Sequence, residues 1–179
     1  MTFHYVMFEA SHMFREMRRK LQEMPHDAAV RILHDGSSGV LALSGDDGYP
    51  YALPISYVLD GDKIYFHSAK EGHKVDAIRR SDKASFCVIA ADSVDSIGYT
   101  TYYQSVIAFG KVRIVEDDDE KLVMIQKLAR KYAPENSEEY EIEYIQKEWE
   151  PLLVFEMTIE HMTGKENKDL ARERRELNL

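Results

Sequence analysis

Apolar positions along this chain recur at two periods, and the switches between them lay out the elements. After Pro25, residues 26–34 (His-Asp-Ala-Ala-Val-Arg-Ile-Leu-His) carry a short helical pattern, and Asp35-Gly36 ends it as a helix stop should. Gly39 to Ser44 is a short apolar run, Asp46-Asp47-Gly48 is a turn, and Pro50 to Leu59 alternates. Tyr51, Leu53, Ile55, Tyr57 and Leu59 fall on one face of that strand; Ala52, Pro54, Ser56 and Val58 fall on the other. Asp60-Gly61 is a hairpin signal, and Lys63 to His67 returns. Residues 39–67 therefore predict a three-stranded meander.

A helix is expected over about 70–80 with Val75 and Ile78 inward, then a strand over 83–91. Residues 92–103 read as a polar, aromatic loop, and 104–116 as a long strand with Gly110 at a bend or bulge. A helix over 118–132 places Leu122, Ile125, Ala129 and Tyr132 on one face, and Pro134 stops it. An acidic helical patch spans about 137–148, and residues 151–160 make a final strand. Residues 1–16 read as an N-terminal extension of mixed character, and the tail from Lys165 to Leu179 as charged and loose. The sum is about six mostly antiparallel strands with a few helices. Closing such a sheet into a barrel covers its apolar face and removes its edges. The expected fold is mainly β, a β-barrel with flanking helices.

Composition narrows the chemistry. The chain has 179 residues, enough for one domain with a real core. Its formal net charge of -9 argues against a nucleic-acid protein, and means that an anionic ligand needs a local positive site. The single cysteine, Cys87, sits in an apolar run and reads as a buried small hydrophobe; no intrachain disulfide can form, which suits a reducing cytoplasm. No stretch approaches the roughly 18 apolar residues of a membrane span, and the N-terminal charge order is the reverse of a signal peptide, so a cytoplasmic location is expected. The sequence lacks a G-x-S-x-G elbow, an H-E-x-x-H helix, paired-cysteine zinc spacing and a P-loop, and its seven histidines are scattered.

The richest segment is Tyr65-Phe66-His67-Ser68-Ala69-Lys70-Glu71-Gly72-His73-Lys74. Ser68-Ala69-Lys70-Glu71 fits an S-x-x-E capping box, which would start a helix at 68–71. Free amides and the macrodipole there attract an anion, Gly72 permits close approach, and His73 and Lys74 add donors. The same residues also fit a well-capped surface helix with solvated lysines. His67 fits a packed strand-end histidine, or a group that hydrogen-bonds a ligand or supplies a proton. The small face Ala52, Pro54 and Ser56 could take a flat ring; Pro54 lacks an N–H, which either frees neighbouring polar groups or marks an edge strand.

Taken in order, Met17-Arg18-Arg19-Lys20, Gly39-Val40-Leu41-Ala42, Gly48 to Tyr57, Ile64 to Lys74 and Thr163-Gly164-Lys165-Glu166 resemble the 5-nitroimidazole resistance (Nim) proteins, within the pyridoxamine 5'-phosphate oxidase-like flavoproteins. The resemblance covers roughly residues 17–166. It implies a split β-barrel that dimerises, with FMN at the subunit interface. By similarity, the strand Leu53, Pro54, Ile55 and Ser56 faces the isoalloxazine ring. His67, Ser68 and Ala69 lie near the ribityl-phosphate, and His73 and Lys74 bind the phosphate. Trp149 and the Tyr99–Tyr103 cluster are candidates for the partner subunit's contribution. His67 is the candidate catalytic residue, as proton donor or substrate contact. The activity implied is that of an FMN-dependent oxidoreductase reducing a nitroimidazole-like or other small electrophile. The alternatives are a flavin-binding or redox-sensing module without fast catalysis, and a barrel holding haem or a deazaflavin; FAD is the alternative to FMN, and haem is disfavoured.

Overall fold

The computed structural model describes residues 14–177. Its strands are β1 (Ser38–Ser44), β2 (Pro50–Ser56), β3 (Val58–Asp60), β4 (Lys63–Ala69), β5 (Lys83–Asp95), β6 (Thr100–Ile114) and β7 (Leu152–Glu166). Its helices are α1 (His26–Asp35), α2 (His73–Arg80), α3 (Asp118–Tyr132), α4 (Glu138–Glu148) and α5 (Lys168–Glu176). All neighbouring strands pair antiparallel, in the order β2-β1-β5-β6-β7-β4-β3. The two outer strands, β2 and β3, are consecutive in the chain and meet at Tyr57. The sheet therefore curls until its ends share a corner without a ladder between them, which is a split barrel.

The alternation read from the sequence holds along β2. Tyr51, Leu53 and Ile55 pack against the main core, while Ala52 and Pro54 are exposed. Pro54 does sit in an edge strand, where its missing N–H leaves no gap in the ladder interior. Inside the barrel, Phe66 stacks on Phe155 at 5.0 Å and meets Phe86 edge-on at 5.2 Å, all three fully buried. Each such side chain contributes about 1.5–3 kcal/mol by leaving water. Ala29 and Leu33 of α1 close the same core. A second cluster lies on the opposite face of β4 and β7, where Tyr65 and Val154 meet Met124 of α3, with Val58 and Ile125 alongside.

Several expectations change. The meander is not one: β1–β2 and β3–β4 are hairpins, but β2 and β4 lie toward opposite ends of the sheet. Residues 92–103 are not a loop. β5 and β6 continue pairing out to Asp95↔Thr100, so backbone hydrogen bonds organise a segment whose side chains are polar. β7 likewise runs to Glu166. The charged tail is not loose, because Asn167 caps α5 by accepting from the Asp169 and Leu170 amides, Ala171 is buried, and Arg174 pairs with the buried Glu166 at 2.7 Å. The inward face of α3 is Lys121, Met124 and Leu128; Leu122 and Tyr132 are exposed. Gly110 does mark a bulge: the register slips between Phe109 and Gly110, and a β-carbon there would lie 2.0 Å from the Thr158 carbonyl oxygen. Cys87 is half-buried, and burial raises its thiol pKa. No helix among the described residues is long and apolar enough to cross a membrane.

Candidate functional site

Four of the candidate residues, Ser56, His67, Ser68 and Ala69, line one groove of about 530 Å³, and the topology explains why. β2 ends at Ser56, and β4 delivers His67, Ser68 and Ala69 beside it, although the two strands lie near opposite ends of the sheet order. The far wall is helical. Ile125, Ala129 and Tyr132 of α3 face Ser56 and His67, with Tyr144, Ile145 and Glu148 of α4 completing it. Three of the four residues expected on one face of this helix, Ile125, Ala129 and Tyr132, are thus a groove wall. It is apolar enough to take a flat ring. Among the described residues, Glu148 is the one carboxylate along the groove, and no lysine or arginine lines it.

His67 pairs in register with Val154 of β7, which fixes its backbone and projects its side chain outward. The residue is exposed, yet neighbouring groups crowd its ring. That crowding, and then the nearby Lys74 charge, hold its pKa below the ordinary 6.5. At neutral pH the ring is therefore uncharged, with one nitrogen donating and the other accepting. Ser68 is buried and its hydroxyl donates to the Ala69 carbonyl at 2.7 Å.

The capping box does not form. Ser68 and Ala69 stay in the ladder opposite Leu153 and Leu152, and the Lys70 amide still reaches the Pro151 carbonyl. The strand bonds win over the local cap because β7 already presents their partners. The helix starts later, at Gly72, whose φ of 121° turns the chain out of β4. The Val75 and Asp76 amides bond to the Gly72 carbonyl, so the free N-terminal amides are those of His73 and Lys74. The anion-attracting end of α2 thus falls on His73 and Lys74 rather than on Ser68.

The structure treats the remaining candidates unevenly. Leu53 and Ile55 point into the core and could offer only backbone groups; Pro54 is exposed on the opposite face, outside the groove. His73 stacks on Tyr51 at 3.9 Å and lies 3.4 Å from Asp46, which also pairs with Arg80. Lys74 is half-buried and close enough to act on His67. Trp149 packs beneath Lys121, its ring centroid 3.9 Å from the ammonium. Tyr99 stands almost fully exposed at the tip of the β5–β6 hairpin with φ 48°. A larger depression of about 940 Å³ lies against α1 and α5, but its arginines are spent on neighbours: Arg31 on Asp27 and Arg174 on Glu166. Among the described residues no group of three side chains could hold a metal ion.

Among curated proteins none matches the chain. Solved structures do. A candidate 5-nitroimidazole antibiotic resistance protein from Bacteroides thetaiotaomicron is 20% identical with a TM-score of 0.70, over 80% of this chain and 85% of that one. An FAD-binding protein from Mesorhizobium loti is 21% identical with a TM-score of 0.60, over 81% and 96%. The FAD and heme binding protein from Mycobacterium smegmatis is 19% identical with a TM-score of 0.66, over 85% and 79%. At these identities the likeness shows the fold. Residues 25–166, most of the chain, match the Pyridoxamine 5'-phosphate oxidase family model. With the split barrel already described, that match shows that the chain belongs to the pyridoxamine 5'-phosphate oxidase family.

Proposed function

We propose that this chain binds FMN along the groove and acts as an FMN-dependent oxidoreductase on a small electrophile of the nitroimidazole kind. The observation that carries this reading is the convergence of Ser56, His67, Ser68 and Ala69 on a groove with an apolar helical wall. The names of the Mesorhizobium and Mycobacterium proteins add support for a flavin. A cofactor phosphate needs a cation, and the groove lining has none among the described residues, so Lys74 and the free end of α2 are the fitting partners. A bound flavin would supply the electron transfer. The protein's own tasks are to hold the ring, keep water from one face and present His67. As a neutral imidazole, His67 suits a hydrogen bond to an uncharged substrate better than storage of a proton.

The site is proposed to be completed in a homodimer. Val40, Ile89, Ile107 and Phe109 form an exposed apolar strip across the outer face of β1, β5 and β6, which suits burial against a second copy. The decisive experiment is the absorbance spectrum and mass of whatever copurifies. A two-banded flavin spectrum with the mass of FMN supports the reading. The mass of FAD revises the cofactor, and a Soret band or no chromophore in a cofactor-saturated preparation ends it. His67→Ala should lower turnover of a nitroimidazole with FMN retained; unchanged turnover removes the role given to His67.

A further inference from the structure

We propose that Tyr132 is a positioning residue for the β2 edge of this site: its hydroxyl holds the Tyr57 backbone, and with it Ser56, where a strand partner is missing. The functional half of this proposal rests on the flavin reading above. The clamp itself stands on geometry.

Tyr57 lies between β2 and β3 and belongs to neither. β2 is paired on one side only, and its first rung from this end is Ser38↔Ser56. Past that rung the Tyr57 amide and carbonyl have no strand to meet, yet the residue is fully buried. Buried backbone groups need partners. Tyr132 supplies both: the Tyr57 N–H donates to its hydroxyl oxygen at 2.9 Å, and the hydroxyl lies 2.8 Å from the Tyr57 carbonyl. The same hydroxyl reaches the Ser37 carbonyl. Its one proton serves one carbonyl at a time, while the bond from the Tyr57 amide persists.

Neighbouring contacts lock the same corner. Lys131 donates to the Gly36 carbonyl at 2.7 Å and sits 4.3 Å above the Tyr57 ring. The Tyr57 hydroxyl donates to the Leu33 carbonyl at 2.6 Å. The last turn of α3 thus ties the end of α1, the entry to β1 and the β2–β3 corner together. Ser56 is one peptide from that clamp, and both Ser56 and the Tyr132 ring line the groove. A ring laid against this edge would meet backbone whose place Tyr132 sets. Lys127 tethers α3 to the barrel elsewhere, through Asp60 on β3. That provides the control.

The test compares Tyr132→Phe, which keeps the ring and removes the hydroxyl, with Lys127→Ala. FMN and riboflavin affinities are read by fluorescence titration, the bound flavin by its visible spectrum, and the Tyr57 amide by hydrogen exchange in flavin-free protein. Tyr132→Phe frees the β2 edge in the flavin-free protein, so both flavins should weaken by roughly threefold to tenfold, the cost of ordering that edge on binding. It should also alter the bound spectrum and speed exchange at Tyr57. Lys127→Ala should stay within about twofold of wild type, because this half-exposed ion pair lies on β3 and away from the β2 edge. The proposal is overturned if Tyr132→Phe binds like wild type, or if Lys127→Ala matches its loss. Unchanged exchange at Tyr57 removes the clamp whether or not flavin binds. Faster exchange in a wild-type-like fold that binds no flavin instead sinks the flavin reading, and the positioning role with it.

Discussion

Replacing Lys74 by alanine separates the two halves of a flavin. Lys74 is the second residue of α2, half-buried, in a first turn whose own amide and that of His73 lack intrahelical acceptors. FMN carries a phosphate for that cation and those amides; riboflavin does not. Losing one charge-assisted hydrogen bond costs about 1.5–3 kcal/mol, which is roughly 10- to 150-fold in affinity. Riboflavin should lose almost nothing. The flavin-free protein should hold its stability or gain slightly, because a cation at a helix N-terminus opposes the dipole. A second readout is independent of any ligand. The Lys74 charge is one cause of the lowered His67 pKa, after burial, so its removal should move His67 up toward 6.5 in an NMR titration. The sign for stability follows. A histidine with a lowered folded pKa lets the unfolded chain bind more protons, so stability is lost as pH falls through 6.5 toward the folded value. Lys74→Ala should narrow that window. Equal losses for FMN and riboflavin would refute the phosphate assignment, and an unmoved His67 would refute the proximity.

Two further substitutions test the frame that holds the site. Gly110→Ala places its β-carbon 2.0 Å from one backbone oxygen and 2.9 Å from the adjoining carbon of Thr158, neither of which can rotate aside; about 2–3 kcal/mol of stability should be lost in urea unfolding, and an unchanged midpoint would mean that the bulge relaxes freely. Glu156→Gln should cost about 1–3 kcal/mol, since the buried carboxylate accepts from Arg113 at 2.7 Å and Lys63 at 3.2 Å. Burial pushes the Glu156 pKa up, but those bonds and charges outweigh it and leave it below 4.5. Its contribution is therefore present above pH 4.5 and lost as pH falls through the lower folded value, so the variant should show a flatter acid limb.

What could be read from the chain depended on whether its cause was local. The α1 stop at Asp35-Gly36, the Asp60-Gly61 hairpin and the Gly110 bulge all follow from turn chemistry or from the one residue that fits, and all are present. The 92–103 segment defeats the same reading because its pairing comes from a partner strand, not from side-chain period. The tail departs from the loose segment its charge predicts for a similar reason: its charges are partnered by other elements, Arg174 with Glu166 of β7 and Arg175 with the Leu21 carbonyl.

The site shows the same division, and in an instructive form. Ser68 looked like a helix cap because its neighbours spell one. A cap is worth about 1 kcal/mol, whereas leaving the ladder at Ser68 and Ala69 would strand buried backbone groups opposite β7. The helix therefore yielded and moved to Gly72, and the candidate anion locus moved with it onto His73 and Lys74. Those are also the two residues that the family resemblance assigns to phosphate. The apolar wall opposite, by contrast, had no local signature. Ile125, Ala129 and Tyr132 have the period of an ordinary buried face, and only the placement of α3 against β4 turns that stripe toward His67. Periodicity says that a face must be covered. It does not say whether protein or ligand covers it, and the half-exposed stripe beside Ser56 is the feature on which the proposed cofactor groove rests.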